Sequence, residues 1–191
     1  MSLVGALTPL GKAAHRSWLR AVAAYTVAGC VSSAILGFLV GEIGWWFRAR
    51  SATFLIVPFT LILAVRECGW ISFKLPEIKR QTQKVWAHEF GFVTAAAMWG
   101  LDVGCGVTTY VTYSGFFVLA AIVLVIGKPQ FGALVLVVYW IGRTLPVWLA
   151  PLLGRDVHIH DLLGEILANR RLYRYGVAIG LLWCAVVMVA R

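Results

Sequence analysis

The chain has 191 residues, 61% of them apolar and 13% charged, with a formal net charge of +9 and a mean hydropathy of +0.84. Soluble domains run near half apolar and a quarter charged. The composition therefore excludes a soluble globular domain, a disordered chain and a disulfide-stapled secreted miniprotein.

The apolar residues fall in stretches of about 20, the length of a helical membrane crossing; barrel strands would alternate over about 10 residues. The sequence predicts an all-α, polytopic membrane helix bundle that fills residues 1–191 as a single integral membrane domain. The positive charge fits the excess of Lys and Arg in cytoplasmic loops, so no nucleic-acid partner is expected. Met1 to Ser17 carries Lys12, His15 and Arg16 with too short an apolar run for a secretory signal.

The first predicted crossing covers roughly residues 18–47, with Gly37 and Gly41 in a small-xxx-small spacing that lets another helix approach closely. The second covers roughly 51–73, with Pro58 as a kink and Arg66 and Glu67 towards its far end. A polar loop with Lys74, Lys79, Arg80 and Lys84 follows. The third stretch, roughly 89–127, is too long for one straight crossing: a helix of that length would reach nearly 60 Å against a core of about 30 Å. It reads either as two crossings that turn near Ser114-Gly115 or as one crossing broken at Gly104-Cys105-Gly106 with re-entrant or tilted portions. The fourth crossing covers roughly 130–153 and the last roughly 172–190. Between them, Val157 to Ala168 is too short to span and carries its aliphatic residues near one face, as an interfacial helix does.

Charge decides the count. Five crossings with the N terminus inside put 11 basic residues on the inner side and 4 on the outer (Arg48, Arg50, Lys128 and Arg191), with Arg66 and Arg143 in the membrane. Six would move the Arg155–Arg174 loop outside and spoil the bias, so the positive-inside rule favours five, N-in and C-out, with a broken third helix. The expected location is the cytoplasmic (inner) membrane, multi-pass, in contact with membrane lipid. Trp18, Trp45, Trp46, Trp70, Trp86 and Trp148 fall near predicted helix ends, where indoles sit half apolar and half wet.

Few residues here suggest chemistry. Cys30, Cys68, Cys105 and Cys184 form no C-x-x-C motif. Cys30 and Cys105 both lie midway along predicted crossings that run outward, so similar depth is expected for them. Cys105 is bracketed by Gly104 and Gly106, which permit a helix break, and Thr108 and Thr109 can satisfy the carbonyls such a break frees. A thiol there gains reactivity if a helix N terminus or a cation lowers its pKa; ordinary packing through the glycines is the alternative. Asp102 and Arg143 are the ionisable residues deepest in the predicted membrane, each the other's most obvious counter-ion, with Arg66 and Glu67 as a second pair. The histidines His15, His88, His158 and His160 offer no chelating spacing, so no metal site and no cofactor is expected. Nucleotide-loop, G-x-S-x-G and H-E-x-x-H motifs are absent.

Gly69-Trp70 before Lys74-Leu75-Pro76, Trp99-Gly100-Leu101 through Gly104-Cys105-Gly106, and Gly132-Ala133-Leu134 with Tyr139, Gly142 and Pro146 follow one another over about Leu61 to Leu153. This stretch resembles the transmembrane domain of the cytochrome c biogenesis protein CcdA and the thiol-disulfide interchange protein DsbD. Thr8-Pro9-Leu10-Gly11 with Gly37, Gly41 and Gly44 resembles that family's connector and second helix. The resemblance implies six helices less the first, hence five, and electron transfer through paired cysteines. Cys105 alone falls on a functional position, preceded by Gly104 where the family has proline, and Cys30 lies on what resembles the second helix.

Three functions follow as expectations. In the first, a thiol-disulfide electron carrier (at most an oxidoreductase-like activity), Cys105 exchanges disulfides with a partner, and Cys30 or a partner thiol resolves them. The second is a non-catalytic membrane subunit or assembly scaffold of a larger complex, and the third a small-solute transporter with Asp102 and Arg143 along its path. All three fit other membrane or redox protein subunits as partners.

Overall fold

The computed structural model describes residues 15–47, 53–73, 86, 89–106, 114–149 and 169–189. These form six helices and no strand: α1 (His15–Trp46), α2 (Thr53–Cys68), α3 (Phe92–Gly104), α4 (Gly115–Ile126), α5 (Pro129–Leu149) and α6 (Arg170–Val189). The segment expected to carry an interfacial helix, 157–168, lies outside the described residues.

Two helices are long and apolar enough to cross a membrane by length and composition: Arg16–Trp46 and Pro129–Leu149, with mean hydropathies of 1.8 and 1.5. The other apolar helices are shorter. The third predicted stretch divides in two. Helix α3 has 13 residues and α4 has 12, about 20 and 18 Å at 1.5 Å per residue, so neither alone spans a core of about 30 Å. The second stretch ends at Cys68 rather than at 73, because Gly69 turns the chain with φ +86°.

Both marks read in the third stretch are used. Helix α3 stops at Gly106, whose φ of +64° is open to glycine and strained for other residues. Its N–H bonds the Val103 carbonyl, and the Cys105 N–H bonds that of Leu101. Helix α4 starts at Ser114-Gly115 and ends on the left-handed Gly127. Pro129 then opens α5, where a missing N–H costs nothing.

Contacts along the helices fix their directions. Gly100 lies against Tyr25 and Gly104 against Gly29, so α3 runs parallel to α1. Gly37 lies against Gly132, Gly41 against Pro129, and Thr26 against both Trp140 and Trp148, so α5 runs antiparallel to α1. Helix α4 places Phe116 on Tyr139 (5.9 Å between ring centroids) and Val123 on Gly132, antiparallel to α5, and brings Leu124 to Gly44 near the end of α1. Helices α3 and α4 therefore lie in series, in the same sense, along α1, and Gly106 packs on the Phe116 ring where they meet. Helix α2 runs antiparallel to α4, and α6 antiparallel to α2.

Two cores result. Trp18, Val22, Tyr25, Ala95, Ala96, Trp99, Val103, Trp140 and Val147 fill the α1–α3–α5 core; Leu63, Ala64, Val118 and Leu181 fill the α2–α4–α6 core. Phe116 and Leu136, with Leu36 packed on them, join the two. Outside the cores, α1 carries Val27, Val31, Ile35, Leu39 and Ile43 on one exposed stripe, and Trp45, Trp46 and Trp70 are exposed near helix ends as the sequence suggests. Trp18 departs from that expectation. It is 3% exposed and packs edge-on against Trp148 at 6.4 Å, because the start of α1 is enclosed by the end of α5.

Candidate functional site

The most developed polar arrangement is built around Glu67 at the C-terminal end of α2. Its residue is 2% exposed. A buried carboxylate is costly unless it is paired and hydrogen-bonded, and here three elements supply the donors. Arg66 Nη1 lies 2.9 Å from Oε1, and Arg174 Nε, in the first turns of α6, lies 3.2 Å from Oε2. Ser114, just ahead of α4, donates both its hydroxyl and its backbone N–H to Oε1. The guanidinium groups reach on into the backbone: Arg174 Nη2 donates to the Arg66 carbonyl at 2.8 Å, and Arg66 Nε to the Phe73 carbonyl at 3.0 Å. Arg66 also stacks over the Phe73 ring, 5.5 Å from its centroid. One carboxylate thus ties the end of α2 to the starts of α4 and α6. The anion at the start of α4 opposes that helix's positive dipole end, while Arg66 and Arg174 meet the carbonyls at the negative end of α2.

The expected pairing of Arg66 with Glu67 is therefore present, but two members of the cluster escaped the sequence reading. The sequence marks Arg174 only as one of the charges that set orientation, and Ser114 only as a turn. The signal that points to them is the pair itself: a buried carboxylate needs donors, and arginines or hydroxyls at neighbouring helix ends are the candidates.

The residues proposed from sequence sit around α1. Cys105 caps α3 in helical conformation and is half-buried. Cys30 is half-buried on α1, packed against the α1–α3–α5 core. Both thiols are free. Gly29 and Gly104 touch backbone to backbone, and the Ser33 hydroxyl donates to the Gly104 carbonyl at 2.9 Å. Each cysteine is thus one residue beyond the same crossing. The helices run parallel there, so one step along each turns the side chains by about 100° in the same sense, which carries them to opposite flanks of the contact. Asp102 is half-buried on α3 and engaged within the fold. Arg143 is half-buried on α5, one turn beyond Tyr139 and within electrostatic reach of both Tyr139 and the buried Tyr25. Among the described residues no group of three His, Cys, Asp or Glu is placed to hold a metal. His88, His158 and His160 lie outside them.

Trp140 and Trp148 reach from α5 to α1 at this core. Both indole N–H groups converge on Thr26: Trp140 donates to its carbonyl and Trp148 to its hydroxyl, each at 3.0 Å. The Thr26 hydroxyl donates in turn to the Val22 carbonyl at 2.8 Å.

Comparison with known proteins corrects the family resemblance. No family model matches the chain, and no solved structure matches it. The curated proteins similar to it include the methylamine utilization protein MauF of Paracoccus versutus, 24% identical over 171 residues, which is 86% of this chain and 62% of the relative. MauF of Methylophilus methylotrophus is 22% identical over 153 residues, 76% of this chain and 54% of the relative. The chain spans little more than half the length of these relatives. The similarity leads to MauF and not to CcdA or DsbD: scattered glycines and prolines at helix contacts and ends are common to many membrane bundles and do not single out a family.

Proposed function

We propose that this chain is a five-crossing protein of the cytoplasmic membrane that acts as an accessory component in methylamine utilization, working within a complex of other proteins. The single observation that carries this reading is the similarity to MauF over most of the chain. The fold adds support. Helices α1, α2, α3 with α4, α5 and α6 alternate in direction, which supports counting α3 and α4 as one interrupted crossing of five. Non-helical backbone at membrane depth survives where protein covers it, and Phe116 covers Gly106. The exposed stripe on α1 faces lipid. The Glu67 cluster, its carboxylate buried and donors on both oxygens, serves as a structural tie within this reading.

Deletion of the gene in its host tests the proposal. Growth on methylamine as the sole nitrogen source is expected to fail, while growth on ammonium continues. Unchanged growth on methylamine contradicts the role.

A second reading is thiol-disulfide exchange at Cys30 and Cys105. It is favoured by the Gly29–Gly104 contact, which brings the two cysteines to one level of the bundle. Their departure to opposite flanks makes it the less direct of the two. Replacement of both cysteines by serine separates the readings: the accessory role survives the change and the exchange role does not.

A further inference from the structure

Arg66 pairs with Glu67 inside the fold, yet it stands on the outer side of α2. Leu55, Phe59 and Ile62 are exposed along that side, and Arg66 follows Ile62 by one turn. The four positions fall within about 60° of one another around the helix. From Leu55 to Arg66 the stripe is about 16 Å long, close to the half-thickness of a hydrocarbon core about 30 Å deep. An apolar stripe of one leaflet's depth that ends on a cation matches an amphiphile with an anionic head.

The charge at this end of α2 is the second observation. Arg66 and Arg174 share the one carboxylate of Glu67, so two guanidiniums against one anion leave a net charge of +1. A guanidinium carries five N–H donors. Arg66 uses Nε on the Phe73 carbonyl and Nη1 on Glu67 and Ser114, and Arg174 uses Nε on Glu67 and Nη2 on the Arg66 carbonyl. Arg66 Nη2 and Arg174 Nη1 have no acceptor among the described residues. The two side chains are 20% and 34% exposed, so an anion can reach them. The chain has 17 Lys and Arg against 8 Asp and Glu, and its own carboxylates cannot neutralise its bases as a whole.

Depth is the third. Helix α2 has 16 residues, about 24 Å, and falls short of a core of about 30 Å. Beyond it the chain turns at Gly69 and exposes Trp70 and Phe73, residues suited to the membrane–water boundary. A short span draws lipid headgroups inward to its charged end.

We propose that Arg66 and Arg174 bind the phosphate of an anionic phospholipid, with phosphatidylglycerol as its simplest form, whose acyl chain lies along Leu55, Phe59 and Ile62. The inference rests on the reading of the chain as a membrane protein and goes beyond the accessory role. Guanidinium forks suit phosphate oxygens, which accept paired N–H donors. The lipid adds the anion that Glu67 alone does not supply, and it fastens the α2–α6 end of the bundle to one leaflet.

Native mass spectrometry of the purified full chain in detergent, titrated with phosphatidylglycerol or with phosphatidylcholine of the same acyl chains, tests the proposal. The first phosphatidylglycerol is expected to bind about fivefold more tightly, the effect of one net basic charge near a membrane surface. Glu67→Gln keeps both guanidiniums and removes the competing carboxylate, so the preference is expected to rise about fivefold further. A cluster that only ties helices together gives no such rise. Arg174→Gln keeps a donor beside Glu67 and is expected to remove the preference; if that variant does not fold, Glu67→Gln alone decides. Equal binding of the two lipids overturns the proposal, and so does a preference unchanged in Glu67→Gln. A preference lost in Lys79→Gln with Arg80→Gln but kept in a folded Arg174→Gln overturns it in favour of the basic loop. Displacement of the lipid by excess inorganic phosphate overturns it in favour of a free anion. Phosphatidylglycerol binding that emerges only once Asp156, Asp161 and Glu165 are neutralised overturns it in favour of the chain's own carboxylates. Equal binding of both lipids by a chain that still fractionates with membranes leaves the membrane reading standing, and no outcome depends on growth on methylamine.

Discussion

The α1–α3–α5 core and the α2–α4–α6 core hold their helices together by opposite means. In the first, side chains are absent where the backbones meet. A Cβ at Gly37 would fall on the backbone of Gly132, one at Gly100 on Tyr25, and one at Gly104 on Gly29. Helices that approach this closely gain dispersion contacts between their backbones. In the second core the apolar contact is small and a single carboxylate joins three helix ends. The first arrangement tolerates little change in volume; the second tolerates little change in charge.

That contrast can be broken first at Glu67. Glu67→Ala leaves two arginines without their anion and is expected to lower stability by about 3–5 kcal/mol, the usual cost of stranding one side of a buried pair. Thermal unfolding in detergent measures it. Glu67→Gln sharpens the point, because it preserves an acceptor for Ser114 while removing the charge; a smaller loss than Glu67→Ala is expected. If both variants unfold like the parent, the α2–α4–α6 core does not depend on the cluster.

Gly37→Leu addresses the other core. The new side chain meets backbone, which cannot turn aside, and a loss of about 1–3 kcal/mol is expected from overpacking. Gly176→Leu, at an exposed position with open space, is the matched control and should change little. The smallest effect is expected at Ser33. Ser33→Ala removes its hydrogen bond to the Gly104 carbonyl and should cost about 0.5–1.5 kcal/mol, again by thermal unfolding. A loss at Ser33 as large as that at Glu67 would erase the distinction between the two cores.

The same contrast explains what the sequence discloses. Close approach depends on local spacing, so Gly37 and Gly41 are legible four residues apart, and so are the glycines that stop α3. The distribution of Lys and Arg supplies an expected orientation, which the helix contacts do not address. The Glu67 cluster is not legible, because Ser114 and Arg174 lie 47 and 107 residues away and nothing in their local sequence marks them as its partners. The burial of Trp18 is hidden for the same reason: near a helix end, an indole at the membrane surface and one enclosed by a neighbouring helix look alike in sequence. The choice between two crossings and one broken crossing depends on contacts of α3 and α4 with α1 and α5, which lie outside the 89–127 stretch itself.

The account stands on α3 and α4 forming one interrupted crossing in line along α1. Thiol labelling from outside intact cells tests it directly, in a chain whose four native cysteines are serine, with Gln83→Cys or Lys128→Cys as the sole thiol. One interrupted crossing between them places the two positions on opposite sides, so a membrane-impermeant maleimide is expected to label position 128 and not position 83. Labelling of both positions, or of neither until the membrane is opened, would make α3 and α4 two separate crossings and contradict the five-crossing bundle.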